Sequence, residues 1–152
     1  MIDDAPKFML DQVYSTDQLS FRYPGYWQID EQKTDDSLSV TITTEEGSFW
    51  MLSMHDGTEE PADIIQSAIE AFTDEYEQID VYEREDQPSL GWSKQELEFE
   101  CSDFIVIAIL QAVQIPGSTL LLLMQGQDEE FETYRDTFQA ITNSLIQAPK
   151  SE

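Results

Sequence analysis

The chain has 152 residues, 40% of them hydrophobic and 11% aromatic, enough for one domain with an ordinary core. Thirty-two Asp and Glu against seven Lys and Arg leave a formal net charge of −25. Charge of that sign argues against nucleic acid and membrane surfaces as partners and favours cationic proteins or peptides, although it serves equally for solubility or adaptation to a salty cytoplasm.

The first residues, Met1-Ile2-Asp3-Asp4, have neither the basic start nor the apolar run of a signal peptide, which makes a cytoplasmic protein the expectation. Short strands come next. Leu19, Phe21 and Tyr23 alternate with polar residues, Tyr23-Pro24-Gly25-Tyr26 supplies a turn, and Trp27 and Ile29 open another strand. Leu38, Val40 and Ile42 alternate with Ser39, Thr41 and Thr43, which predicts one buried and one wet side. After a turn at Glu45-Glu46-Gly47, Trp50, Leu52 and Met54 point one way and Phe49, Met51 and Ser53 the other, with both sides at least partly covered.

A helix follows. Pro61 suits a first turn, where no backbone N–H is needed, and Ile65, Ile69, Phe72 and Tyr76 make one apolar stripe. Val81 to Arg84 reads as a short strand broken by Gln87-Pro88-Ser89. Gln95, Leu97, Phe99 and Cys101 then alternate with Glu96, Glu98 and Glu100. Turns at Cys101-Ser102-Asp103 and Ile115-Pro116-Gly117-Ser118 bound the apolar runs Phe104 to Val113 and Thr119 to Met124. Runs of this kind predict central strands covered on both faces and joined as an antiparallel meander. The last helix carries Phe131, Tyr134, Phe138, Ile141 and Leu145 at three-four spacing, with Asp128, Glu129 and Glu130 suiting its first turn. Residues 147–152 read as a frayed polar tail on a core of about 8–146.

The fold class is therefore α+β: a mainly antiparallel sheet of about six to eight strands with one helix packed on each face, as one domain.

The chemistry is sparse. His55 is the sole histidine; with Ser53 and Asp56 it could be imagined as a triad, but residues so close on one strand rarely converge, and a polar strand end is the plainer reading. One His and one Cys cannot build a structural zinc site, and no Asp-x-Asp-x-Asp-Gly loop exists for calcium; Asp56-Gly57 is half of such a signal and Asp103 is isolated. Asp35-Asp36 reads as a solvated turn. Cys101 can form no disulfide within the chain and reads as a buried, inert thiol. Gly47, Gly57 and Gly91 are single turn glycines rather than a phosphate cradle. No catalytic residue, cofactor or metal is expected. The binding candidates are Trp50, His55 and Trp92, the two indoles because large rings favour interfaces, with core filling as the alternative for both.

The order of elements, together with Phe21-Arg22-Tyr23-Pro24-Gly25-Tyr26-Trp27 as an F-x-Y-P-x-x-W opening and Phe131 to Leu145 as a closing helix, resembles the PsbP/Mog-like superfamily over residues 19–146. The resemblance implies an α/β/α sandwich and a non-enzymatic binding role, as in photosystem subunits, GTPase binders, lipoproteins and chaperones of type VI secretion effectors. It carries over no binding residue one by one. The chain lacks a lipoprotein cysteine near its start. The expectation is an acidic adaptor or chaperone-like domain that holds a protein partner, basic in character. The alternative is a small-molecule or lipid binder with a pocket between a helix and the sheet, and a hydrolase comes third.

Overall fold

A computed structural model describes residues 9–17, 19–34, 37–56, 60–87, 92–115 and 117–147, with backbone alone at Asp56, Gln87, Ile146 and Gln147. The expectations at Met1 to Asp4, Asp35-Asp36, Gly57, Pro88-Ser89, Gly91, Pro116 and residues 148–152 lie outside the described residues.

In chain order the elements are β1 (Gln12–Ser15), β2 (Leu19–Tyr23), β3 (Gln28–Lys33), β4 (Ser37–Thr43), β5 (Phe49–Asp56), α1 (Pro61–Glu75), β6 (Ile79–Val81), β7 (Glu85–Gln87), β8 (Trp92–Cys101), β9 (Phe104–Ile115), β10 (Ser118–Gln127), α2 (Asp128–Asn143) and β11 (Ile146–Gln147). Eight strands form one antiparallel sheet in the order β3-β4-β5-β10-β9-β8-β6, with β7 also paired to β8. This is an α+β architecture with a large antiparallel sheet and two helices.

The meander is held by short turns. Ser102 and Asp103, between β8 and β9, both take positive φ (51° and 70°), the backbone of a tight two-residue hairpin. Gly117 turns β9 into β10 at φ 83°, where a side chain would be strained.

Strand β9 feeds two cores. Its Ile107 and Ile109 join Trp50, Leu52, Leu120, Leu122 and Met124 in a cluster with Phe131, Phe138 and Ile141 of α2. Its Val106, Ala108, Leu110 and Ala112 join Leu97, Phe99 and Ile64, Ile65 and Ile69 of α1 in another. Each fully buried Val, Leu, Ile, Met or Phe contributes roughly 1.5–3 kcal/mol, so the alternation along β9 anchors both helices. Helix α1 packs along β9, β8 and β10; α2 packs along β10, β9 and β2.

Several expectations need correction. Leu19 and Phe21 belong to a separate small sheet, β1-β2-β11, where Ile146 pairs with β2 and so does Gln147, the residue expected to start the polar tail. No alternation announced β1, whose Val13 is 56% exposed. The strand expected over Val81 to Arg84 is split: β6 ends at Val81 and β7 begins at Glu85, each pairing with its own stretch of β8. Phe104 and Ile105 are exposed, so the covered part of β9 begins at Val106. Cys101 is exposed, because β8 has run past the covering helix where it reaches the hairpin.

Candidate functional site

The half-exposed side of β8 carries a row of charged side chains. Alternate residues Ser93, Gln95, Leu97 and Phe99 are buried. Their neighbours Lys94, Glu96, Glu98 and Glu100 therefore share the other side, with successive carboxylates about 7 Å apart. The register adds a further acid: Asp80 of β6 lies directly opposite Glu98. Like charges so placed oppose sheet formation, and in bulk water each 7 Å pair repels by about 0.6 kcal/mol.

The hydrogen bonds around this ladder are consistent with a negative potential. Tyr82 Oη donates to Glu98 Oε1 at 3.1 Å. That bond, with burial and the charges of Glu98, Asp80 and Glu96, holds the phenol above its ordinary pKa of 10.0. Two cations lie at the rim. Lys94 sits opposite Glu85 of β7. Arg135 of α2 reaches Glu96 at 3.7 Å while donating to Glu132 at 2.9 Å, and its guanidinium stands 5.1 Å from the centroid of the Phe131 ring. The hydrogen bond from Arg135 in turn pulls the Glu132 carboxyl below its usual range.

Two open clefts border the ladder. One, of about 160 Å³, is lined by Gln78, Asp80, Glu98, Phe99, Glu100 and Ile105. The other, of about 390 Å³, is lined by Tyr82, Glu83, Glu85, Lys94 and Glu96. Apolar groups stand among the charges, since Tyr82 is 45% and Ile105 40% exposed. Carboxylates with interspersed apolar contacts suit a cationic, partly apolar ligand.

Trp50, His55 and Trp92 do not meet. Trp50 is fully buried: its ring centroid lies 4.7 Å from that of Phe21, and its Nε1 donates to Thr142 Oγ1 at 2.9 Å. It is a core residue and cannot contact a partner, because its side of β5 faces β2 and α2. Trp92, half-buried, opens a cleft of about 90 Å³ with Glu60, Pro61, Ala62, Asp86, Ser93 and Gln114. His55 is exposed at the end of β5 and lines an open cleft of about 290 Å³ with Ile64, Ser67, Ala68 and Leu121. Ser53 is two residues from it on one side of the strand, about 7 Å away, too far for a direct nucleophile–base hydrogen bond without rearrangement.

The acidic ladder was missed as a site in the sequence. Glu96, Glu98 and Glu100 mark an alternating strand, but the pairing of Asp80 with Glu98 and the approach of Tyr82 and Arg135 depend on strand and helix placement. Among the described residues no group of three or more His, Cys, Asp or Glu is arranged to hold a metal ion, and no helix is long and apolar enough to cross a membrane.

No protein-family model matches the chain, and no curated protein matches it. Solved structures do. Cyanobacterial PsbP (CyanoP) from Synechocystis aligns over 97% of this chain and 98% of its own at a TM-score of 0.66 and 13% identity. LpqN of Mycobacterium tuberculosis, involved in cell envelope biogenesis, aligns over 86% and 83% at 0.57 and 14%. PA94 of Pseudomonas aeruginosa, a protein of unknown function, aligns over 93% and 98% at 0.53 and 9%. The chain has the PsbP-like fold, as the opening and closing motifs implied.

Proposed function

We propose that this protein is a non-enzymatic adaptor that holds a cationic protein partner on the acidic side of β8. The observation that carries the reading is the ladder of Glu96, Glu98 and Glu100 with Asp80 set against it, an arrangement that costs stability unless a cation approaches. Acids concentrated on one strand steer an oppositely charged partner, and the exposed Tyr82 and Ile105 give it apolar contacts. The layering behind this reading puts α1 on one face of the sheet and α2 on the other, which the division of β9 between two clusters supports.

The test separates this strand from the acidity of the whole chain. Association of the full chain with a defined basic protein is followed by stopped flow at low and high salt. Glu96, Glu98 and Glu100 are changed together to Gln; the control changes Glu70, Asp74 and Glu77, an equal charge, to neutral amides. The β8 variant should associate at least tenfold more slowly at low salt, an effect that screening at high salt reduces. Equal slowing by the two triples would reduce the ladder to general acidity and overturn the reading.

A second reading rests on the cleft beside His55, between α1 and the sheet, whose lining of Ile64, Ala68 and Leu121 suits a small apolar molecule. Chemical-shift changes at His55, Ser67 and Leu121 on titration with a medium-chain fatty acid would support it; shifts spread over the molecule, or none, would remove it.

A further inference from the structure

Resting on that reading, we infer that the partner segment is a basic amphipathic helix, which lies on the sheet beside α2 and over β8 and β6.

Spacing sets where such a helix can lie. Strands of a sheet stand about 4.8 Å apart, and packed helices stand about 8–10 Å apart. Helix α2 packs along β10 and β9. One helix width further across the sheet is two strands, which is the position of β8 and β6. That position is where Asp80, Glu96 and Glu98 stand half-exposed or exposed. The reach of Arg135 to Glu96 marks the α2 rim of the slot.

The backbone of β8 decides between a helix and an extended peptide. Basic side chains on either could match the ladder: residues four apart on a helix rise about 6 Å, and alternate residues of a strand about 7 Å. An extended peptide, however, needs a free sheet edge for its own N–H and C=O groups. Strand β8 offers none here, because it is already paired with β9 on one side and with β6 and β7 on the other, and the outer edges that β6 and β7 present are three residues each, too short to hold a strand along the whole ladder. What it presents is a face of side chains. A helix satisfies its own backbone and can lie on that face without leaving donors or acceptors unpaired. Lys94 to Glu100 span about 20 Å, which a helix of about 13 residues covers. Its apolar stripe would meet Ile105 and the Tyr82 ring, and its Lys or Arg residues would meet Asp80, Glu96, Glu98 and Glu100.

Two 14-residue peptides of one composition test this on the full chain. The first has Lys at i, i+4, i+7 and i+11 beside a Leu stripe and a proline at its first position; the second moves that proline to the centre, which breaks the helix. Calorimetry at low salt should give the helical peptide an affinity at least tenfold above the broken one. Both Glu98→Gln and Ile105→Asn, the latter an uncharged change at an exposed position, should weaken it. Amide shifts should move at Asp80, Tyr82 and Glu96 to Glu100. Equal binding of the two peptides with the same salt dependence overturns the helix and leaves the cationic-partner reading standing. Binding of neither peptide overturns both. Shifts centred on β4 and β5 instead would overturn the placement.

Discussion

Two half-exposed sides of the same sheet are chemically opposite. One is the side of β8 with Glu96, Glu98 and Glu100. The other is the side of β4 and β5 that the register fills with Ser39 opposite Ser53, Thr41 opposite Met51 and Thr43 opposite Phe49, continuing to Leu121 and Leu123 of β10. These residues are half-buried and uncharged. The strand next to β4 adds a single carboxylate on that side, Asp30 opposite the neutral Thr41, whereas Asp80 is set against Glu98 on the other; acidity that served solubility alone would have no reason for that concentration. The difference indicates that the position of the charge, beyond its total, is what needs explaining.

The largest expected effect is in the core that the inward sides of β4 and β5 build with α2. Trp50→Ala should cost about 3–5 kcal/mol, read by urea unfolding, because a buried indole is replaced by a void and its bond to Thr142 is lost. A loss below about 1 kcal/mol would show that the site collapses freely and that Trp50 is no anchor. Next comes a change of two charges. Glu96→Gln with Glu98→Gln should slow association with a basic protein at least tenfold at low salt, while Ser39→Lys with Thr41→Lys, the same change in net charge, should change it far less. Equal effects would erase the distinction between the two sides.

Smaller effects sharpen it. Asp80→Asn should raise stability by about 0.2–1 kcal/mol by removing a like charge opposite Glu98. Thr41→Asp should lower it by a similar amount, since Thr41 lies opposite Asp30. Thermal unfolding of the two variants tests both signs at once. The smallest effect is alkaline. Burial, the hydrogen bond to Glu46 and the charges of Glu46, Glu130 and Glu45 push the Tyr134 phenol well above its ordinary 10.0. Tyr14, also by burial and by its bond to Glu31, is raised in the same way. The folded state then holds these protons more tightly than the unfolded chain, so their stabilisation is complete below pH 10.0 and is lost as pH rises above it. Melting temperatures should fall as pH rises above 10.0, and Tyr134→Phe should flatten the fall; an unchanged slope would assign it elsewhere.

The alternation of Leu97 and Phe99 with glutamates, the continuous apolar run of β9 and the three-four stripe of α2 were legible because each is a local period imposed by strand or helix geometry. The helix boundaries at Pro61 and Asp128 were legible for a similar reason, since first turns accept proline and welcome carboxylates. Trp50 and Trp92 look alike in the sequence, and the side of a strand that another layer happens to cover separates them: one is core, the other half-buried at a cleft. Cys101 continues an apolar alternation yet ends exposed, because the strand runs past its covering helix.

Periodicity and turn chemistry act within a few residues, so the two helices, the β8–β10 meander and the charge they carry could be read locally, whereas β1, β7 and β11 could not. The tertiary structure alone decided that Ile146 returns to β2, that Asp80 stands against Glu98 and that α2 lies over β9 and β10 with β8 beside it. Such placements depend on which distant segments bury each other's apolar sides, and no local pattern encodes that choice.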